Sequence, residues 1–112
     1  MTPRLASAVL VSALIRQVEI MGGNGAILAK GDPTSGALFL LITHRGRVIS
    51  ARERGFRSDG QSGWMPAGPA DQDNPEALSA YVERRRRSDP DLWVVELDGI
   101  AVETIETMLE AF

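Results

Sequence analysis

Arg84-Arg85-Arg86-Arg87-Ser88-Asp89-Pro90-Asp91-Leu92-Trp93-Val94-Val95-Glu96 decides the fold class, because an arginine-rich helix end breaks at a proline and runs into a strongly β-forming segment. Pro90 disfavours helical geometry at the residue before it, so the helix closes by Asp89. Leu92 to Leu97 then reads as a strand by residue type, and Asp98-Gly99 as the turn after it. Upstream, Asn74-Pro75-Glu76 starts that helix with an asparagine cap, a proline at the first helical position and an acid in the first turn. Its apolar stripe is only Leu78, Tyr81 and Val82, which lays it over a sheet with much of its surface wet. Downstream, Val102, Ile105, Met108, Leu109 and Phe112 share one helical face, with Glu103, Glu106 and Glu110 elsewhere. Such a stripe must bury against the sheet or against a second chain.

Towards the start of the chain, Val11, Leu14, Ile15, Val18 and Met21 recur at helical spacing, and Gly22-Gly23 ends the helix. Ala8 to Val11 are four apolar residues in a row, for which periodicity leaves both strand and helix open. Gly25 to Lys30 and Ala37 to Thr43 read as two antiparallel strands around the loop Gly31-Asp32-Pro33-Thr34-Ser35-Gly36. The second is apolar on both pleat faces, which suits a central strand covered on both sides. After a turn at His44-Arg45-Gly46, Arg47 to Arg57 returns as a polar third strand. Asp59-Gly60 is a hairpin signal; a two-residue turn there sets Phe56 opposite Gly63, with Trp64 one step on. Pro66 to Asp73 reads as a mobile connection. The order helix, strands, helix, strand, helix predicts a single α+β domain over residues 1–112. It carries an antiparallel sheet of about five strands, with N-terminal, middle and C-terminal helices packed on it.

With 112 residues, 44% apolar and 24% charged, the chain is an ordinary globular domain that needs no staple to fold. Its net charge of −3 implies no particular partner. Cysteine is absent, which removes disulfides, thiolate nucleophiles, zinc ribbons and iron–sulfur ligation together. Arg4 before the apolar run Leu5 to Ile15 has the outline of a secretory signal, yet Arg16-Gln17-Val18-Glu19 occupies the place of the cleavage site. The run is far short of the roughly 20 residues that span a bilayer. Both points favour a soluble protein.

Motifs that carry chemistry are missing. Gly22-Gly23-Asn24-Gly25 follows a helix and precedes a strand, the reverse of a phosphate loop, and reads as a helix end and turn. His44 is the only histidine and falls at a turn. No two of the fifteen acids are singled out as a catalytic pair. Four consecutive arginines at about 100° per residue wrap the helix instead of forming a basic face. Arg85 and Arg86 follow Tyr81 and Val82 by four residues, so they point partly inward and call for carboxylates. Glu83, Asp89, Asp91, Glu96 and the acids of the last helix are the candidates. Trp93 reads as core. Trp64, in a Gly/Pro-rich stretch, reads as sheet packing or as a contact residue.

Arg4-Leu5-x-Ser7 leading into Val11-Ser12-Ala13-Leu14-Ile15-Arg16, then Lys30-Gly31-Asp32-Pro33-x-x-Gly36-Ala37, and Asp89-Pro90-Asp91-Leu92-Trp93-Val94-Val95-Glu96 together resemble a small family of uncharacterised, mainly alphaproteobacterial proteins, a domain of unknown function. The resemblance implies a soluble cytoplasmic bacterial domain and carries no activity or functional residue with it. The leading expectation is therefore a cytoplasmic, non-enzymatic interaction or regulatory module, acting on a protein partner or as a homodimer. It has no catalytic residue, metal or cofactor, and no affinity for nucleic acid or membrane. The alternative is a small-molecule or anion-binding domain, enzymatic or not, using Arg84, Arg85, Arg86 and Arg87 with Trp64. A cleft lined by these residues would favour the alternative, and an apolar patch the module.

Overall fold

Trp93, Val94, Val95 and Leu97 are fully or almost fully buried, because the strand they form has a neighbour on each side and helices above and below. A computed structural model describes residues 5–56, 62–71 and 73–112. Its elements are α1 (Ser7–Ile20), β1 (Asn24–Ala29), β2 (Leu38–His44), β3 (Arg47–Phe56), β4 (Ser62–Pro66), α2 (Pro75–Ser88), β5 (Trp93–Asp98) and α3 (Val102–Leu109). The result is a single α+β domain of three helices and a five-stranded sheet, ordered β1-β5-β2-β3-β4.

One pairing departs from an antiparallel sheet. β5 inserts between β1 and β2, antiparallel to the first and parallel to the second, with Leu40 beside Val95 and Ile42 beside Leu97. The two early strands therefore never touch each other. A parallel neighbour cannot be reached through a tight turn, and the chain returns to β2 only after β3, β4 and α2. Residues Ala8 to Val11, left open by periodicity, are helical: they belong to α1.

Alternation along β2 and β5 splits the core in two. Leu38, Leu40, Ile42, Trp93, Val95 and Leu97 face α1 and α3, meeting Leu10, Leu14, Val18, Ile105 and Leu109. Phe39, Leu41, Leu92 and Val94 face α2, where Leu78, Tyr81 and Val82 cover them. β2 is the middle strand and is buried from Leu38 to Thr43, as its apolar sequence on both faces requires. Asn74 caps α2, its Oδ1 accepting the N–H groups of Glu76 and Ala77 at 3.0 and 3.3 Å. The apolar stripe of α3 finds its cover within the chain: Ile105 and Leu109 are buried, and Val102, Met108 and Phe112 pack half-buried around them.

The loop between β1 and β2 ties these layers together. The α1 N-terminus has no side-chain cap; Ser7 and Ala8 donate their N–H groups to the carbonyls of Thr34 and Pro33 instead. Ser7 Oγ donates to the Gly36 carbonyl at 2.6 Å. On the other side of the loop, Trp93 Nε1 donates to the Asp32 carbonyl at 2.7 Å, and Asp32 N–H donates to the Asp91 carbonyl at 3.0 Å. The Asp91 carbonyl sits so close that a Cβ at Gly31 would lie 2.1 Å from it and one at Gly36 2.3 Å. No side chain fits at either position.

Two expectations about β3 and β4 are corrected or left aside. Phe56 pairs with Ser62 and Gly55 with Gly63, so the ladder is one residue out of step with a two-residue turn and Phe56 is not opposite Gly63. Arg54 is the residue beside Trp64. Asp59 and Gly60 lie outside the described residues. In the following stretch Ala67 is held, its N–H donating to the Ala51 carbonyl.

At the opposite end of the sheet from the loop, Asp98 Oδ1 accepts the Thr43 hydroxyl at 2.7 Å and the Gly46 N–H at 3.2 Å. It thereby joins the β2–β3 turn, where Arg45 and Gly46 both adopt positive φ, to the end of β5. These donors hold the Asp98 carboxyl below its ordinary value of 3.8, and Ser35 and Thr34 donors do the same for Asp32.

Replacing Trp93 with alanine is expected to cost about 3–5 kcal/mol in urea unfolding, as for a large core aromatic. Trp93→Phe, which keeps an aromatic ring but loses the bond to Asp32 and part of the buried volume, should cost less than that; a loss equal to alanine's would show that the retained ring contributes no packing stability. For Asp98 the sign follows from the depressed folded value: its stabilisation is complete above pH 3.8 and is lost as the pH falls through the lower folded value. Asp98→Asn should lower the urea midpoint at neutral pH and flatten its decline in acid. An unchanged acid slope would show that the two donors do not favour the ionised carboxylate.

Candidate functional site

The four arginines close α2 and are dispersed by it. Arg85 turns towards the sheet and forms an ion pair with Glu53 of β3, the side chains 29% and 20% exposed. The hydrogen bond to the Glu53 carboxylate raises the Arg85 pKa further. Arg86 donates to the Pro90 carbonyl at 3.2 Å, the Arg84 guanidinium carbon stands 6.0 Å from the Tyr81 ring centroid, and Arg87 is exposed. Arg85 thus meets a carboxylate, but not one of the acids near in sequence. Glu53 lies two residues from Ala51, which is buried under α2, so the pleat aims Glu53 at the same helix. That signal lay in the polar third strand.

Trp64 is on the other face. The pairs Glu53 with Met65 and Arg54 with Trp64 alternate across the sheet, so Trp64 sides with α3 while Arg85 sides with α2. The Arg54 guanidinium carbon lies 5.6 Å from the Trp64 ring centroid and the same group donates to the Phe112 main-chain oxygen. Arg52 pairs with Glu106. The buried Trp64 Nε1 has no hydrogen-bond partner among the described residues. A hollow of about 340 Å³ opens beside it, bordered by Arg52, Glu106, Glu110 and Phe112. Among the described residues, Arg84, Arg85, Arg86 and Arg87 lie on the α2 face and Trp64 on the α3 face, so no cleft unites them.

The larger concavity was not singled out by any motif. It is an open groove of about 690 Å³ between α1 and α3, with Met21, Met108, Ala111 and Phe112 as its apolar floor and Gln17, Glu103, Thr104 and Thr107 on its walls. It exists because α3 is short and narrow: Ile105 and Leu109 reach the sheet, whereas Met108 and Phe112 stand on the flank towards α1. Residues 17 and 21 fall one turn apart on α1 and face this flank. Chemically the groove offers soft apolar contact, with the Glu103 carboxylate and the hydroxyls of Thr104 and Thr107 at its edges. Among the described residues no group of three or more His, Cys, Asp or Glu could hold a metal ion. His44 is exposed at the β2–β3 turn.

Residues 5–106 match the family described as Protein of unknown function (DUF1491). The chain belongs to that family. A DUF1491 protein of Caulobacter crescentus, solved as a crystal structure, is 36% identical, with a TM-score of 0.71 over 86% of this chain and 89% of its own. The solution structure of Atu0922 from A. tumefaciens is 32% identical, with a TM-score of 0.75 over 92% of both chains. An NMR structure of a Caulobacter DUF1491 protein gives 35% and 0.72, over 86% of each chain. No curated protein matches. In this DUF1491 chain the stretches around Ser7, Lys30 to Ala37 and Asp89 to Glu96, which carried the resemblance, meet at the loop under Trp93. They hold the fold, and no helix of the described residues is long and apolar enough to cross a membrane.

Proposed function

We propose that this DUF1491 domain is a non-enzymatic protein-interaction module of the cytoplasm and that the α1–α3 groove is its contact surface. The observation that carries this reading is the apolar floor of Met21, Met108 and Phe112, left half-buried beside a helix that buries only Ile105 and Leu109 fully. Methionine adapts its shape to partners, and open grooves between helices are a recurrent docking surface. A chain without cysteine is compatible with a reducing compartment. The anion-binding alternative has less support, since Arg85 and Arg86 are occupied within the fold and Trp64 faces away from them. Exposed Arg84 and Arg87 fit the rim of a partner contact better than a phosphate site.

A second copy docking at β1 is the other reading, favoured by one feature. β1 is an edge strand without charge or proline, and Ile27 and Leu28 on it are 47% and 54% exposed. The bulge between Ile27 and Ala29 limits how much of that edge can pair.

A photo-crosslinking side chain at Thr107 should trap a distinct protein in cells, and Met108→Asp should abolish the adduct. Equal adducts from the same probe at Ser79, on α2, would reject the groove. In solution, sedimentation should show a monomer that makes no gel-shift complex with short duplex or single-stranded DNA at about 150 mM salt. A dimer dispersed by Ile27→Lys would establish the β1 reading in its place, and a salt-resistant DNA complex lost on replacing Arg84 and Arg87 would revive the anion site.

A further inference from the structure

Three surfaces compete for a further assignment: the hollow beside Trp64, the edge of β1 with the shallow pocket of about 280 Å³ next to it, and the α1–α3 groove. The hollow beside Trp64 has its arginines already used, Arg52 on Glu106 and Arg54 on Phe112. The β1 edge is blunted by its bulge. The groove is the surface whose charge and shape together specify an occupant.

Its shape comes from two helices. The walls present side chains and no free backbone edge, so an extended peptide would gain no ladder hydrogen bonds there, whereas a third helix can set its ridge of side chains into the furrow. The floor is apolar and soft. On the outer shoulder of α1, Ile20 is 69% exposed and lies about 60° round the helix from Gln17, which extends the apolar surface beyond the groove.

The charge on the α3 wall is acidic, while Arg54 is held against the Phe112 main-chain oxygen at the far end. Glu103 lines the groove, and Glu110, about 20° from it round α3, stands on the shoulder between the groove and the hollow beside Trp64. Neither makes an ion pair among the described residues, in contrast to Glu106, whose partner is Arg52. The C-terminal end of α1, at Met21, opens on the same groove with no basic residue in its last turn, so its carbonyl dipoles add negative potential. Arg16 is the cation of α1 nearest in sequence, and it points to the outer face, about 100° from Gln17.

Resting on the reading of the groove as a contact surface, we infer that its occupant is a basic amphipathic helix of a partner protein. Large apolar residues at i, i+3 or i+4, and i+7 of that helix lie against Met21, Met108 and Phe112, and its Lys or Arg residues lie against Glu103 and Glu110. The attraction is electrostatic in selecting the partner and apolar in holding it.

The probe is a fluorescein-labelled peptide of about 18 residues, long enough to be helical, with Leu at those apolar positions and Lys and Ala elsewhere; its counterpart carries Glu for Lys. Fluorescence anisotropy with the full chain should give binding about tenfold tighter for the Lys peptide, weakening with salt. The exposed double substitution Glu103→Lys and Glu110→Lys should reverse the preference, with circular dichroism confirming the fold. Amide shifts on titration should map to α3 and the last turn of α1. Equal affinity for the two peptides, an unreversed preference, or shifts confined to α2 and β1 would overturn the inference. If Thr107 still traps a protein in cells while the peptides show no charge preference, the interaction module survives and the basic helix does not; loss of both removes the groove.

Discussion

The main-chain carbonyls of Asp32 and Asp91 are the points on which the architecture hangs. The first accepts the indole N–H of Trp93 and the second the N–H of Asp32, so the loop before β2 and the start of β5 hold each other through two hydrogen bonds in a largely buried place. Trp93 is 1% exposed, and an indole N–H so placed must find an acceptor or lose the cost of its desolvation. The acceptor is supplied by a loop that can come near enough only because Gly31 and Gly36 have no side chain. The same loop satisfies the first amides of α1. One short segment therefore sets the N-terminal helix, the parallel strand pair and the main core in a common frame.

Much of this arrangement is legible in residue patterns, and the illegible part has a definite cause. Helix boundaries followed from local chemistry: Asn74-Pro75-Glu76 caps and starts α2, Pro90 stops it, and Gly22-Gly23 ends α1. The doubly apolar run Ala37 to Thr43 announced a central strand, and it is the third of five. Strand partners are another matter. Nothing in Gly25 to Lys30 or Leu92 to Leu97 says that the second will insert beside the first, because apolar edges are interchangeable until helices choose their faces. The register of β3 against β4 failed for a related reason: Asp59-Gly60 suggests a turn but does not by itself count the residues in it.

The candidate surfaces show the same division. That Arg85 would need a carboxylate was readable from its place four residues after Tyr81; that Glu53 would provide it was not, since the two are 32 residues apart and meet only through the pleat of β3. The groove between α1 and α3 was invisible altogether. It arises from Met21 and Met108, residues that an amphipathic pattern counts as core, standing at the margin where two helices part. Periodicity tells which side of a helix is apolar, but not how far round that side its neighbours reach.

The late insertion of β5 bears on how the chain is made. During synthesis from the N-terminus, β1 and β2 emerge with the place between them vacant, and the segment that fills it is more than fifty residues behind. Until then β2 offers β5's place as an open edge, apolar from Leu38 to Ile42, while β3 guards only the other side. Contacts so distant in sequence form slowly, and unpaired apolar edges are sticky while they wait. The nascent domain therefore has a window of vulnerability that closes only when Trp93 docks under the loop, and chaperone dependence or inclusion-body formation in this family would trace to that interval.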